Sequence, residues 1–526
     1  MWRAIPVICG TIKNVRSINQ NHYQTDAAAT LRRFGLFTAR TIVHSDNVLC
    51  SFLDELTNGA IMSRRTLVCV IAVLATAGDV YGSDWTRFRG PNGTGVSPDT
   101  ATPPTEWSDS TNVKWKITLP GPGLSSPIII GDRVIVTCWT GYAAGGDDQG
   151  SIEDMKRQVV CLDRKTGDTI WTHSEDPVLP EDNYRGMFAE NGYASHTPAT
   201  DGERVYAFFG KTGVVALNLS DGKKLWQKSV GENLEDKGWG SASSPIIHDG
   251  KVIVSAFIEG DAMVAFDGKT GDVIWEQKTP GYRSNWSTPV LVDTGERVDL
   301  VMAVPGEVWG LNPDNGKLKW YCEIEGSDSA RASVIADGDI VIAMSGGRGA
   351  TTSIAVKAGG KGAVESVWTG RDVSSTGTPV VHDGRMYLVS NKVVTSVDMA
   401  TGKRIGQTRL TGAASPAEGN AGAERPPGGD GERGGRPPEG GGRGGYGGGR
   451  GPGGQDYSSP VVAGNQLYYA ARSGDVFVVA LGEEVKQVAS NKFADDSGQY
   501  SSTPAISNGE LFIRSSTTLY CIAAGS

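Results

Sequence analysis

Eight side chains that could grip a ligand stand in one kind of position along this 526-residue chain. Tyr193, His196, Trp239, Arg283, Trp286, Arg331, Tyr457 and Tyr500 all lie just ahead of a recurring strand start, usually Ser-Pro or Thr-Pro. Indoles and phenols offer a flat apolar face with one polar tip. A guanidinium offers a planar fork of donors. Gathered at one place, these groups would hold a planar or sugar-like ligand. Bond-breaking chemistry is not signalled. After residue 82 the histidines are His173, His196, His248 and His382, and no Ser-His-Asp or paired-carboxylate pattern accompanies them. His248 and His382 occupy equivalent turns and read as structural.

What could bring residue 193 beside residue 500 is a repeat. The strand start recurs at Ser126-Pro127, Thr197-Pro198, Ser244-Pro245, Thr288-Pro289, Thr378-Pro379, Ser459-Pro460 and Thr503-Pro504, with a proline-free copy at Ala332-Ser333-Val334. Pro198 and Pro245 are 47 residues apart; Pro245 and Pro289, like Pro460 and Pro504, are 44 apart. Each copy continues as short apolar runs separated by turns at Gly, as in Pro245-Ile246-Ile247, Lys251 to Ala256, Met263 to Phe266 and Asp272 to Trp275. Strands repeating every ~40–50 residues are the pattern of propeller blades, and runs apolar on both sides suit sheets covered on both faces. The fold expected is an all-β, eight-bladed propeller of four-stranded antiparallel blades. The copy from Pro504 to Ala523 holds only three strands, so the missing outer strand is assigned to Val113–Ile117, which would close the ring and hide its edges.

A second phrase marks the turn into each outer strand: Asp163…Thr166-Gly167…Trp171, Asn218…Asp221-Gly222…Trp226, Asp267…Thr270-Gly271…Trp275 and Asn312…Asn315-Gly316…Trp320. Asp or Asn opens such a turn by accepting backbone amides, and Gly takes the left-handed dihedrals at its end. The tryptophans, with Trp115 and Trp368, are read as blade-docking residues. Blade five has a degenerate turn at Gly359-Gly360, Gly406 stands in the tryptophan position of blade six, and blade seven carries Gly482-Glu483-Glu484 with no Trp. Looser stacking is expected from blade five to blade seven.

The Asp-x-x-Thr-Gly-x-x-x-Trp phrase followed by a Ser/Thr-Pro strand resembles the pyrroloquinoline-quinone-like (PQQ-like) propeller repeat. Quinoprotein alcohol dehydrogenases share that repeat, as does the propeller lipoprotein of the outer-membrane β-barrel assembly machine. Trp85…Phe88-Arg89-Gly90-Pro91…Gly93…Gly95 is similar to the opening of exported bacterial members. The resemblance spans residues 83–526 and implies the propeller fold. For a dehydrogenase it implies PQQ with calcium, an adjacent Cys-Cys disulfide, calcium held by carboxylate and amide, and an Asp base. The chain has no Cys-Cys pair and no Cys-x-x-Cys-His for a haem, while Glu190-Asn191 could supply calcium oxygens.

Ahead of the repeats, Met62-Ser63-Arg64-Arg65, an apolar run to Gly78 and small residues before Ser83 have the layout of a signal peptide over 62–82. Residues 1–61 are read as an over-extended start or a disordered leader. No Leu-x-Gly-Cys lipobox stands at the cleavage point. Without residues 1–82 the chain keeps 42 basic against 54 acidic side chains, a balance opposed to nucleic-acid binding. Cys138 and Cys161 could pair within blade one or remain buried thiols. Residues 411–456, rich in Gly, Arg and Pro, are expected to form a disordered loop between blades six and seven. Insertions at 141–156 and 176–194 are expected to project. The function expected is an exported, monomeric, non-catalytic scaffold that needs no cofactor and binds an envelope protein or glycan. The alternative is a PQQ-dependent alcohol or sugar dehydrogenase with an atypical site.

Overall fold

A computed structural model describes residues 83–526 apart from 145–148, 185–191, 235–238, 327, 347–351, 375 and 413–455. The signal peptide and leader assigned to residues 1–82, and nearly all of the 411–456 loop, lie outside the described residues.

Eight antiparallel four-stranded blades form a ring. Their innermost strands are Ile128–Ile130, Ala199–Thr200, Ile246–His248, Val290–Asp293, Ile335–Asp337, Val380–His382, Val461–Ala463 and Ala505–Ser507. Blade three is typical: Ile246–His248, Lys251–Ala256, Ala262–Asp267 and Val273–Lys278 pair in that order outward. The two middle strands of this blade are almost wholly buried, the innermost strand is buried at its first residue, and the outer strand is buried only at Trp275. Val113–Thr118 pairs antiparallel with Thr518–Ile522, setting Trp115 opposite Cys521. The N-terminal strand therefore closes blade eight, as its sequence implies, and the ring is left without a seam.

The two repeated phrases fit into one another across blade interfaces. The indole of each docking tryptophan lies over the turn glycine of the next blade: Trp115 over Gly167, Trp171 over Gly222, Trp226 over Gly271, Trp275 over Gly316 and Trp368 over Gly402. A β-carbon on these glycines would come within 2.5–2.9 Å of the ring. Their φ values of +68° to +80° are also ones that only glycine adopts cheaply. Each indole N–H donates to a carbonyl of that next blade, Trp226 Nε1 to Gly268 O at 3.0 Å, for example. The residue paired with the indole inside its own blade is small, as with Ala265 opposite Trp275 and Ala355 opposite Trp368. Trp320 differs. Blade five lacks the turn, and the Trp320 ring folds back over Gly310 of its own blade and donates to Asp299 Oδ2 at 2.7 Å. The interface between blades five and six carries the standard Trp368–Gly402 pair, whereas the joints before blades five, seven and eight lack it, Ala489 standing in the tryptophan position of blade seven.

A further element was not anticipated. Residues 84–97 run across the ring. Trp85 pairs with Ile129 of blade one, Thr86 O accepts Thr200 N of blade two, and Val96–Ser97 pairs in parallel with Val462–Ala463 of blade seven. Arg89 is fully buried there. Its Nη1 donates to Thr378 O and Pro460 O, both at 3.1 Å, and its Nη2 to Pro379 O and Thr94 O. Ile129 and Val462 lie two residues past Pro127 and Pro460, so this strap crosses the side of the ring opposite the loops that enter the inner strands.

The two insertions of blade one do not simply project. Tyr142 and Met155 from the first pack with Tyr184 and Tyr193 from the second around Trp139. Cys138 faces Gln158 across the sheet, Cys161 faces Ile135, and all four described cysteines are buried and unpaired.

Candidate functional site

The eight strand-start hydroxyls form a closed hydrogen-bonded ring around the axis. Ser126 N donates to Thr197 Oγ1, Thr197 N to Ser244 Oγ, Ser244 N to Thr288 Oγ1 and Thr288 N to Ser333 Oγ. The ring continues from Ser333 N to Thr378 Oγ1, Thr378 N to Ser459 Oγ, Ser459 N to Thr503 Oγ1 and Thr503 N back to Ser126 Oγ. All eight distances fall between 2.9 and 3.2 Å. The hydroxyl, not the proline, is the required group: Ser333 keeps its place in the ring although Val334 follows it. Proline next to it restrains the hydroxyl residue to extended backbone and gives up an N–H that the inner edge strand does not use.

Inside this ring lies a cavity of about 160 Å³ that opens to solvent. Trp239, Trp286, Arg331 and Tyr457 line it from the loops, the eight ring hydroxyls line it midway, and Phe88 reaches it from the strap. Trp239 and Trp286 sit with ring centroids 6.2 Å apart, and Trp286 Nε1 donates to Gly240 O, fixing one loop against the next. The Arg331 guanidinium lies 5.5 Å from the Trp239 ring centroid, a cation–π arrangement.

The other four candidates lie elsewhere. Tyr193 is buried among Trp139, Tyr142 and Tyr184, with its hydroxyl donating to Asp182 O at 2.9 Å. Arg283 donates to Leu234 O and Ile258 O and pairs with Asp261, tying loops together at the rim. Tyr500 is 1% exposed and donates to Asp496 Oδ2 at 3.0 Å; burial raises its phenol well above the usual range. His196 is buried against Phe208 and belongs to a polar cluster beside the cavity.

That cluster was not legible in the sequence. Ser241 Oγ lies 3.0 Å from His196 Nε2 and bonds Glu259 Oε1, linking blades two and three. Arg157, paired with Glu181 at 2.7 Å, and the buried Lys211 are its neighbours. Desolvation lowers His196 to about 3 and holds the Glu259 carboxyl up to about 7. Serine stands between the imidazole and the carboxylate, so the imidazole is not oriented by Glu259 as a nucleophile's base would be.

The lining can be tested against a calcium-held quinone. Calcium takes six to eight oxygens, carboxylates among them, and among the described residues no carboxylate lines the cavity. Glu190-Asn191 lies outside the described residues. His248, Asp249 and Asp314 are grouped closely enough for a metal, but they sit at an exposed blade turn where Lys251 already bonds Asp314 at 3.0 Å. The described lining offers an aromatic shelf and one cation, yet it does not supply the ligand set of that cofactor.

Comparison with known proteins places this geometry. The family model of the outer membrane protein assembly factor BamB matches residues 92–239 and 155–408, more than half of the chain. The outer membrane protein assembly factor BamB of Yersinia pestis is 27% identical over 256 residues, 45% of this chain and 57% of that protein. A polyvinylalcohol dehydrogenase of a Pseudomonas species is 24% identical over 262 residues, 41% of this chain and 37% of that protein. The chain thus matches less than two thirds of the length of these relatives. Among solved structures, the quinohemoprotein alcohol dehydrogenase from Comamonas testosteroni superposes with a TM-score of 0.55 at 12% identity, covering 86% of this chain and 82% of that one. At that identity the likeness is one of fold.

Proposed function

Since the chain belongs to the outer membrane protein assembly factor BamB family, we propose that it is an exported, non-catalytic propeller that binds a protein or glycan of the cell envelope at the mouth of its channel. The observation that carries this reading is the cavity lining: aromatic and cationic groups stand at the entrance, and no described carboxylate is available to hold calcium or to take a proton. Fold alone does not assign function, and the names of two of the three sequence relatives point to oxidation. The dehydrogenase reading is supported by those names and by the Trp239–Arg331 arrangement, which could receive a flat anion. The signal-peptide layout read at residues 62–82 supports the export part of this reading. Among the described residues no helix is long and apolar enough to cross a membrane.

The test is retrieval of ligands from envelope extracts, with purified protein compared against a Trp239→Ala/Trp286→Ala double variant. The wild type is expected to retain a partner that the variant loses while keeping its melting temperature. Equal retention by both would move the binding face away from the channel mouth.

A further inference from the structure

The ring hydroxyls have a second consequence. Each oxygen accepts a backbone N–H from the preceding blade. A hydroxyl also carries one proton to donate, and among the described residues none of the eight finds an acceptor. The eight residues are only 2–8% exposed, and all line the same cavity. Buried donors of this kind are satisfied by water or by a ligand. Arg331 adds a ninth donor group: it stacks on Trp239, and among the described residues no carboxylate pairs with it. The described lining therefore offers hydroxyl and guanidinium donors with no anionic acceptor among them. The complementary ligand group is one that only accepts, and an ionised carboxylate, with two oxygens and about four lone-pair sites, is the simplest.

Position narrows the class further. Trp286, Arg331 and Tyr457 each stand two residues before a ring hydroxyl, at Thr288, Ser333 and Ser459, a separation of about 6–7 Å along extended chain. A carboxylate held between Arg331 and the ring leaves the rest of its molecule level with Trp239 and Trp286. Indole faces are flat and apolar with one polar edge, a match for the C–H face of a sugar ring. Phe88 lines the cavity from the strap on the far side, an obstacle that favours entry of a chain end over its middle.

We propose that the channel receives a uronic acid, either free or as the terminal residue of a glycan, with its carboxylate between Arg331 and the hydroxyl ring and its sugar face against Trp239 and Trp286. This rests on the binding-scaffold reading and commits it to the glycan side.

Calorimetric titration of the full chain at low salt tests it, with glucuronate, glucose, a tri-galacturonide and an acidic hexapeptide as probes. Glucuronate and the trimer are expected to bind, with glucose at least about tenfold weaker because charge-assisted hydrogen bonds are lost. Binding of the trimer at equal or greater strength marks a glycan end, whereas binding of glucuronate alone marks a free acid. Arg331→Met should weaken glucuronate about tenfold at an unchanged melting temperature, and Arg331→Lys should recover part of the loss. Equal binding of glucose and glucuronate, preference for the peptide, or no heat from any probe would overturn the proposal. If these titrations fail while envelope capture still depends on Trp239 and Trp286, the scaffold reading stands without the uronate. If quinone with calcium supports alcohol oxidation and displaces glucuronate, the scaffold reading fails while the carboxylate site stands.

Discussion

The joint between blades two and three and the joint between blades six and seven solve one packing problem by different means. At the first, the Trp226 indole lies over Gly271 and donates to Gly268 O, and the Tyr206 hydroxyl donates to the same carbonyl at 3.1 Å. At the second, Gly406 replaces the indole and the glycine turn is gone. The apolar core nevertheless continues there, from Tyr387 and Val389 to Phe477 and Val479. What substitutes for the clasp is polar: Arg385 Nη1 donates to Gly482 O, Thr408 Oγ1 to Val485 O, Lys392 pairs with Asp475 at 3.0 Å, and Arg89 bridges Pro379 and Pro460. Tryptophan and turn glycine behave as two halves of one contact, lost together before blade seven and rearranged together before blade five. Blade docking is thus a property of neighbouring repeats taken in pairs.

Substitutions that strike the two joints unequally test this contrast. Trp226→Ala empties a clasped joint and should cost about 3–5 kcal/mol in urea unfolding; a loss below 1 kcal/mol would mean that the indole is not what docks the blades. Arg89→Met should cost about 2 kcal/mol, because the buried carbonyls of Thr378, Pro379 and Pro460 lose their donor. A neutral result would assign the second joint to its apolar core alone. The polar cluster of the clasped joint gives a pH-dependent effect. Burial holds the Glu259 carboxyl up to about 7, above its ordinary value of 4.5. Between those values the folded chain keeps a proton that the unfolded chain releases. The stability this group contributes is therefore full below about pH 4.5 and lost as pH rises through 7. Glu259→Gln should stabilise by about 2 kcal/mol at pH 8 and by almost nothing at pH 4.5; equal effects at both would remove Glu259 as the titrating group. Gly406→Trp should change stability by less than about 0.5 kcal/mol, since blade seven offers no turn glycine to receive the ring. A clear gain would show that the indole acts without its partner.

The blades could be read from the chain because each repeats a strand pattern at nearly constant spacing, and the three-stranded last copy pointed to Val113–Ile117. The clasp was half legible: Trp226 and Gly271 both stood out, but their meeting depends on how consecutive blades are rotated, which spacing within one repeat does not encode. Among the site candidates, Trp239, Trp286, Arg331 and Tyr457 reach the cavity, whereas Tyr500 and His196 turn away to Asp496 and Ser241. Both sets occupy similar sequence positions, and in loops the side-chain direction follows from local turns with no fixed period. The hydroxyl ring had a visible signal. Ser333 survives where the proline does not, so the hydroxyl was the retained feature. The strap from Trp85 to Ser97 has no counterpart elsewhere in the repeats, and pattern matching along the chain had nothing to align it with.

On the function proposed above, the channel mouth binds its ligand without oxidising it. Purified protein supplied with pyrroloquinoline quinone, calcium and a panel of alcohols and sugars, followed by quinone absorbance and dye reduction, tests it most directly. No substrate-dependent dye reduction is expected. Sustained dye reduction that disappears in Arg331→Met would contradict it and would make the cavity a redox site.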